Sequence, residues 1–433
     1  MNVLKFGGTS VGSAQRIQEV AKLISDDQPK IVVLSAMSGT TNTLVDITNH
    51  LYRNDRQEAL TTIQNLELDY LMTISDLYST EEFKHRGQEF VQTIFTYLRS
   101  FINKDFYPLQ EKAVVAQGEI ISTTLMYYYL QEQGIPSTLL SALDFMRIDK
   151  DCEPDYFYIE QNLKRLLSNP ATERIIITQG FICRNAYGEI DNLKRGGSDY
   201  SAALIGAALN VEEIQIWTDI DGVHNSDPRY VKNTKAIRSL SFDEAAELAY
   251  FGAKILHPSS IQPAKKANIP VRMKNTMNPS DEGTLITKES PIKDFKAVAA
   301  KDGITASNML LAYGFVRKVF EIFESWKTPI DMIATSEVAI SLTIDSTCHL
   351  EDIKKDLTKY GTIEVEESLS IICIVGDCSI NNSGLAARAL TALKDIPLHM
   401  ISYGASEHSI SLLVKQTDKQ KALEALSERL LNQ

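Results

Sequence analysis

Five short runs rich in β-branched and apolar residues punctuate the first two-thirds of the chain: Val3–Phe6, Lys30–Ser35, Arg174–Thr178, Glu213–Thr218 and Pro270–Met273. Helical stretches such as Ala14–Ser25 and Phe242–Phe251 lie between them, and three of the runs end in Gly, Ser or Thr clusters. Strands that alternate with helices pair in parallel through crossover connections, and sheets of this kind hold ligands beyond the carboxyl ends of their strands. The pattern predicts a three-layer α/β/α domain with a mostly parallel sheet. From about Leu44 to Leu109 the chain reads as mostly helical, with aromatic and leucine positions three to four apart, the spacing of helix packing.

A polar, turn-rich stretch, Met277–Gly283, closes this pattern, and beyond about Ile292 a different rhythm appears twice. Gly314–Phe323 recurs 70 residues later as Gly384–Leu393, Ser336-Glu337 as Ser406-Glu407, and Ile340–Leu342 as Ile410–Leu412. Such a period marks two copies of one supersecondary unit. Each copy reads as a strand, a Gly-led helix and two alternating strands. Val338, Ile340, Leu342 and Ile344 alternate with Ala339, Ser341 and Thr343, as in a sheet buried on one face. A half-covered β-α-β-β unit buries that face best against its twin, which suggests a paired regulatory or dimerisation module.

Chemistry concentrates in a few motifs. Leu-Lys-Phe-Gly-Gly-Thr-Ser (Leu4–Ser10) ends the first run. Glycines let backbone N–H groups converge on an anion, and Lys5 supplies the point charge that phosphoryl transfer requires. Neither GxxxxGK[ST] nor GxGxxG occurs, so the P-loop and dinucleotide readings are excluded. Arg195-Gly-Gly-Ser-Asp199 precedes a helix of small residues, Tyr200–Ala208. There Ser198 is placed as N-cap, Asp199 lies in the first turn, and Arg195 beside a helix N-terminus suits bidentate capture of a carboxylate. Trp217–Arg229, Phe251–Pro258 and Gln117–Ser122 are weaker signals taken singly.

Composition narrows the classes further. A formal net charge of −12 over 433 residues argues against nonspecific binding to nucleic acid or anionic membrane, both of which reward a basic surface. Five cysteines without CxxC spacing fit a reduced, cytoplasmic compartment and no zinc site. No run approaches 18 apolar residues, and a phosphate motif starting at residue 5 leaves no room for a cleavable signal.

In combination and in this order, Lys-Phe-Gly-Gly-Thr-Ser, Arg-Gly-Gly-Ser-Asp and Phe-Gly-Ala-Lys-Ile-Leu-His-Pro resemble the aspartate kinases of the amino-acid-kinase superfold, with C-terminal ACT domains. The resemblance covers almost the whole chain. It implies a catalytic domain over residues 1–290 and α+β, ferredoxin-like ACT domains over 291–365 and 366–433, with strand exchange between those two allowed. The implied reaction moves the ATP γ-phosphoryl group to the β-carboxylate of L-aspartate, opening routes to lysine, threonine, methionine and diaminopimelate. A non-catalytic amino-acid sensor is the rival reading.

Residue by residue, the resemblance implies that Lys5, Gly7, Gly8 and Ser10 meet the ATP phosphates. Thr41 and Glu119 contact the substrate's hydroxyl-accepting and amino groups, and Arg195, Gly196, Gly197 and Ser198 hold a carboxylate. Asp199 orients Lys5, while Thr218, Asp219, His224, Arg229 and Lys254 line the nucleotide site, His224 standing where the family more often has tyrosine. Mg2+ would be carried by the nucleotide, with no protein metal site. In the tail, Met309, Gly314, Phe315, Val316, Asp331, Ser336 and Glu337 would bind an amino-acid effector, lysine with threonine as the alternative. A homodimer through the ACT domains is expected. Length leaves no room for a second catalytic domain.

Overall fold

The computed structural model describes residues 1–169, 173–193, 196–252, 256–291, 294–311, 315–337, 339–378, 382 and 384–431. Arg195, Lys254 and Gly314 lie outside the described residues. Two units emerge: Met1–Gly222 with Ser259–Lys288, and Val223–Pro258 with Glu289–Gln433.

The chain runs β1 (Asn2–Phe6), α1 (Ala14–Ile24), β2 (Lys30–Leu34), α2 (Thr40–Tyr52), α3 (Arg56–Leu77), α4 (Glu81–Arg99), α5 (Pro108–Val115) and α6 (Gln117–Glu132). It continues through β3 (Ser137–Leu140), α7 (Tyr156–Leu167), β4 (Ile175–Gln179), the hairpin β5 (Ile182–Arg184) and β6 (Ile190–Asn192), α8 (Gly197–Leu209) and β7 (Ile214–Thr218). Then come β8 (Ser239–Ser241), α9 (Phe242–Tyr250), α10 (Gln262–Ala267), β9 (Val271–Asn275) and β10 (Thr284–Thr287). The remainder is β11 (Phe295–Leu311), α11 (Phe315–Ser325), β12 (Met332–Thr335), β13 (Ala339–Ile344), α12 (Leu350–Leu357), β14 (Gly361–Gly376), α13 (Leu385–Ala392), β15 (Met400–Ser402), β16 (Ser409–Lys415) and α14 (Lys419–Leu426).

In the first unit the sheet is ordered β3-β4-β2-β1-β7-β9-β10. All these pairings are parallel except the last, β9 with β10. Strands covered on both faces by helices read as continuous apolar runs, and β2 and β4 are buried at every position. The helices bring their own apolar stripes: Ile17, Val20 and Ile24 from α1, Tyr70 and Ile74 from α3, and Phe95 and Leu98 from α4 share one core with Phe6, Val32 and Ile177. The five sequence runs thus match strands to within two residues at each end.

The start of α8 differs from the sequence reading. Its N-cap is Gly196, held at φ +73°, and Ser198 is a buried residue of the first turn, so Ser198 is not the cap. The left-handed conformation that begins this helix is open to glycine at little cost, so the helix starts earlier than a serine cap would allow.

In the second unit the sheet is ordered β12-β13-β11-β14-β16-β15. The two long strands pair antiparallel along nearly their whole length, from Phe295↔Gly376 to Leu311↔Gly361. The far half of β11 also pairs with β13, and the far half of β14 with β16. The cores follow this division. Met309, Phe315, Val319, Ile340, Leu342 and Ile353 form one, while Phe295 and Val298 from the start of β11 join Ile372, Leu385, Leu412 and Leu423 in the other. The four strands around each core therefore come from both ends of the repeat pair. The helices α12 and α14 were not foreseen, and each copy is β-α-β-β-α. Each contributes only three buried apolar positions among charged residues, too short a stripe to stand out in the sequence.

Segment 223–258 is anchored to the same unit. Ser241 and Glu244 form a reciprocal capping box at the start of α9, and Lys296 Nζ of β11 lies 2.6 Å from the Glu244 carboxylate, both side chains almost fully buried. Removing one partner of a buried pair strands the other charge. Lys296→Met is expected to destabilise this unit by about 3 kcal/mol, read as a shift of its urea transition, and adding Glu244→Gln should recover most of the loss.

Candidate active site

Loops at the carboxyl ends of β1, β2 and β4 and the first turns of α2, α6 and α8 enclose a cavity of about 300 Å3 in the first unit. Its wall includes Gly8, Ser35–Gly39, Thr41, Glu119, Phe181, Gly197 and Ser198. The close packing is fixed by the backbone. Ser38 N–H donates to Gly8 carbonyl at 3.2 Å, and a Cβ on Gly8 would come within 2.8 Å of the Ala36 carbonyl oxygen. Any side chain at Gly8 would push the two loops apart.

Two helices start at this cavity without a side-chain cap. Gly39 precedes α2 and Gly196 precedes α8. Their first-turn N–H groups and aligned peptide dipoles make an anion-favouring wall. Beside α8, Lys5 Nζ stands 2.8 Å from Asp199 Oδ1, with side-chain exposures of 12% and 16%. The contact is Coulombic, because its angles do not make a directed hydrogen bond to that oxygen. Lys5 is the fourth residue of β1, opposite Val33 on one side and Ile216 on the other. A lysine in that apolar setting requires an anion.

Across the cavity, Glu119 lies in the first turn of α6 and is buried. Burial pushes its carboxyl up to about 7, partly opposed by the backbone amides of Ala36 and Glu119. Its Oε2 accepts no hydrogen bond among the described residues. Behind the α2 turn, the buried hydroxyls of Thr40 and Tyr70 meet at 2.8 Å and brace the wall.

The other sequence candidates fall as follows. Gly7 N–H donates to the Trp217 carbonyl. Ser10 is buried, its hydroxyl 2.7 Å from that of Thr276, so it holds the turn from inside. Thr218 donates to Asp219 Oδ1 at 3.1 Å at the end of β7. In the second unit, His224 Nδ1 is 2.7 Å from the Thr234 hydroxyl. Arg229 is forked onto Asp227, which holds that carboxyl below the usual range despite partial burial. Among the effector candidates Met309 and Phe315 sit in a core, Val316, Ser336 and Glu337 are exposed, and the Asp331 side chain is buried.

Sequence reasoning missed Phe181 and Tyr70. Phe181 adopts φ +66° and packs so tightly on Gly197 that a Cβ there would lie 2.3 Å from its ring. Backbone strain of this kind persists where surroundings dictate it. Its position just after Gly180 at the end of a strand was the available signal.

Among the described residues, no group of three or more His, Cys, Asp or Glu is placed to hold a metal, and no helix is long and apolar enough to cross a membrane. All five cysteines are free.

Residues 1–275 match the amino acid kinase family and residues 372–430 an ACT domain. The chain is thus a member of the amino acid kinase family. Lysine-sensitive aspartokinase 3 of Escherichia coli is 32% identical over 448 residues, spanning 99% of this chain and 98% of the relative. Aspartokinase 1, chloroplastic, of Arabidopsis thaliana is 34% identical over 461 residues, spanning 98% and 79%. The crystal structure of E. coli aspartokinase III in complex with aspartate and ADP covers 100% of both chains at 31% identity, with a TM-score of 0.82. Within the family, this chain belongs to the aspartokinases.

The buried Glu119 carries a stability consequence. Its folded value near 7 exceeds the ordinary 4.5, so the folded state holds the proton more tightly. The resulting stabilisation is present below about pH 4.5 and lost as pH rises through 7. Glu119→Gln should therefore raise stability at pH 8 by on the order of 2 kcal/mol and by little near pH 4.5, measured by denaturant titration at both values.

Proposed function

We propose that the protein transfers the γ-phosphoryl group of ATP to the β-carboxylate of L-aspartate, giving 4-phospho-L-aspartate and ADP. The observation that carries this reading is the cavity itself, where one buried carboxylate faces two uncapped helix N-termini. A substrate with one ammonium and two carboxylates is complementary to that arrangement. The Glu119 carboxylate takes the ammonium, while the α8 turn, with Ser198 and the neighbouring Arg195, takes the α-carboxylate. Thr41 contacts the substrate from the α2 turn.

The nucleophile needs no activation, because a β-carboxylate is ionised at neutral pH. A carboxylate oxygen bonds to the γ-phosphorus as the bond to the ADP oxygen breaks and the electron pair leaves with ADP. No proton moves. The obstacle is repulsion between two anions, so rate comes from alignment and charge cancellation. Lys5 supplies the cation at the transferring group, and Asp199 holds it in place. Gly7 and Gly8 allow the backbone close to the phosphates, and Thr218 and Asp219 serve the rest of the nucleotide from the end of β7. Around Gly7–Gly8 the donors are amides, hydroxyls and an ammonium already paired to Asp199, a set that suits phosphate oxygens. Magnesium would come bound to those oxygens and neutralise part of their charge.

Control by lysine belongs to the same proposal. The E. coli relative is named for lysine sensitivity, and a related structure holds lysine and aspartate at 32% identity and a TM-score of 0.81. Here the buried acid Asp331 suits a cationic effector. Pairing through the ACT region into a homodimer and a cytoplasmic setting, which free exposed thiols at Cys152 and Cys348 suit, complete the reading.

Turnover with ATP and a panel of aspartate, glutamate, N-acetylglutamate and carbamate, trapped as hydroxamate, should yield product with aspartate alone. That signal should fall when lysine is added. Product from a different acid would move the substrate while keeping the fold. Lys5→Ala should lower kcat by about 10²–10³-fold, the effect of losing one transition-state donor; near-normal turnover would remove Lys5 from the reaction.

A further inference from the structure

Asp331, just before β12, is tied to more than an effector could explain. Its Oδ1 accepts from the Tyr250 hydroxyl at 2.9 Å and from Lys301 Nζ at 2.7 Å. Lys301 also reaches Asp345 Oδ2 at 2.9 Å and lies 4.6 Å from the centre of the Tyr250 ring. The Asp331 side chain is only 2% exposed, yet its Oδ2 is buried with no hydrogen-bond partner among the described residues. Two carboxylates and one ammonium leave one negative charge uncompensated, and the spare oxygen offers it to a second cation.

Tyr250 is the last residue of α9, and it leads directly into Phe251–Pro258, the motif that contains Lys254. The stretch from the start of α9 to Gly252 is fastened to β11 at both ends of the helix. At its start Glu244 pairs with Lys296, and past its end Gly252, at φ +118°, packs where a Cβ would meet the Ala300 carbonyl oxygen at 2.3 Å. Between these clamps the Tyr250–Asp331 bond joins the segment to the acid itself. The second repeat lacks the device: 70 residues on, Asp331 becomes Ile401 and Asp345 becomes Lys415. The acid cluster thus belongs to one repeat only.

We propose that Tyr250 is a relay residue, carrying occupancy of Asp331 by an ammonium-bearing effector to the Phe251–Pro258 segment. The effector's ammonium takes Asp331 Oδ2 and draws the carboxylate away from Oδ1's two donors. The Tyr250 hydroxyl bond weakens, and the end of α9 shifts together with Phe251 and Gly252. The relay rests on the effector reading of Asp331 given above. It adds a separable element, because binding occurs at Asp331 and transmission at Tyr250.

The test uses the full chain and lysine as the probe, comparing unsubstituted protein with Tyr250→Phe, which keeps the ring over Lys301 and deletes only the hydroxyl. Lysine binding is measured by calorimetry and inhibition by the hydroxamate assay. Tyr250→Phe should keep its uninhibited kcat and bind lysine at least as tightly, having lost a donor that competes for Asp331, while the fold inhibition at saturating lysine falls by about tenfold, within the usual range of allosteric coupling. Inhibition of unchanged depth at saturating lysine overturns the relay and leaves the effector reading standing. Loss of binding together with inhibition also overturns it, by making Tyr250 part of the binding site. Failure of the unsubstituted protein to bind lysine removes the effector reading, and the relay with it.

Discussion

Parallel pairing of β1 between β2 and β7 is the constraint from which the first unit's chemistry follows. Parallel neighbours put the carboxyl ends of β1, β2, β4 and β7 on one side, so Gly7–Gly8, Ser35–Gly39, Gly180–Phe181 and Thr218–Asp219 lie at one edge of the sheet. The same pairing leaves Lys5 between apolar neighbours on two strands, Val33 and Ile216. An ammonium there is costly to desolvate unless an anion stands beside it. Asp199 answers that requirement from α8, and the small residues Ala202, Ala203 and Gly206 let that helix approach closely; a Cβ on Gly206 would lie 2.6 Å from Ile214. The cation is held in place by the fold itself, so in the proposed transfer little reorganisation would be left to the reaction.

The second unit solves a different problem with long strands. Neither repeat contains in one continuous stretch the four strands around its core, because Phe295 and Val298 at the start of β11 pack into the core of the later repeat. Pairing of β11 with β14, interrupted only by register shifts near Phe295 and at Asp302–Ala306, makes the two copies share their central ladder. β13, with β12 on its outer side, meets the far half of β11, while Lys296 and Lys301 lie in its near half, beyond the register shifts at Asp302–Ala306. Those two lysines hold α9 and the Asp331 cluster respectively.

Legibility from sequence tracked the range of the determining interaction. The strand runs and the 70-residue period were readable because local apolar alternation and exact spacing carry them. The cap of α8 was misread because serine chemistry favours capping locally, whereas Gly196 at φ +73° wins once the loop must turn toward the cavity. The helices α12 and α14 were hidden by their length, with stabilisation coming from cores assembled at distance. Phe181 and Tyr70 escaped notice for a related reason: an aromatic residue reads as core until a glycine 16 residues away, or a buried threonine, turns out to be its partner. Nor does any composition change announce that 223–258 groups with the tail, since long-range contacts alone decide it.

Glu119 shows what a site of this kind demands from the fold. A carboxylate with its pKa near 7 and an unused buried oxygen is a poor component of a core. Nothing in the packing of α6 requires it, for Ile121, Leu125 and Met126 supply the apolar contact. Its placement becomes reasonable only when a positively charged group fills the cavity, because the incoming charge offsets the desolvation that raised the pKa. Asp331 follows the same logic on a smaller scale, except that the chain has brought part of the compensating charge itself through Lys301. One acid waits for its cation and the other is already half neutralised. The first is therefore suited to tight, obligatory binding of a substrate group. The second suits a graded response, in which an effector competes with a contact the protein already makes.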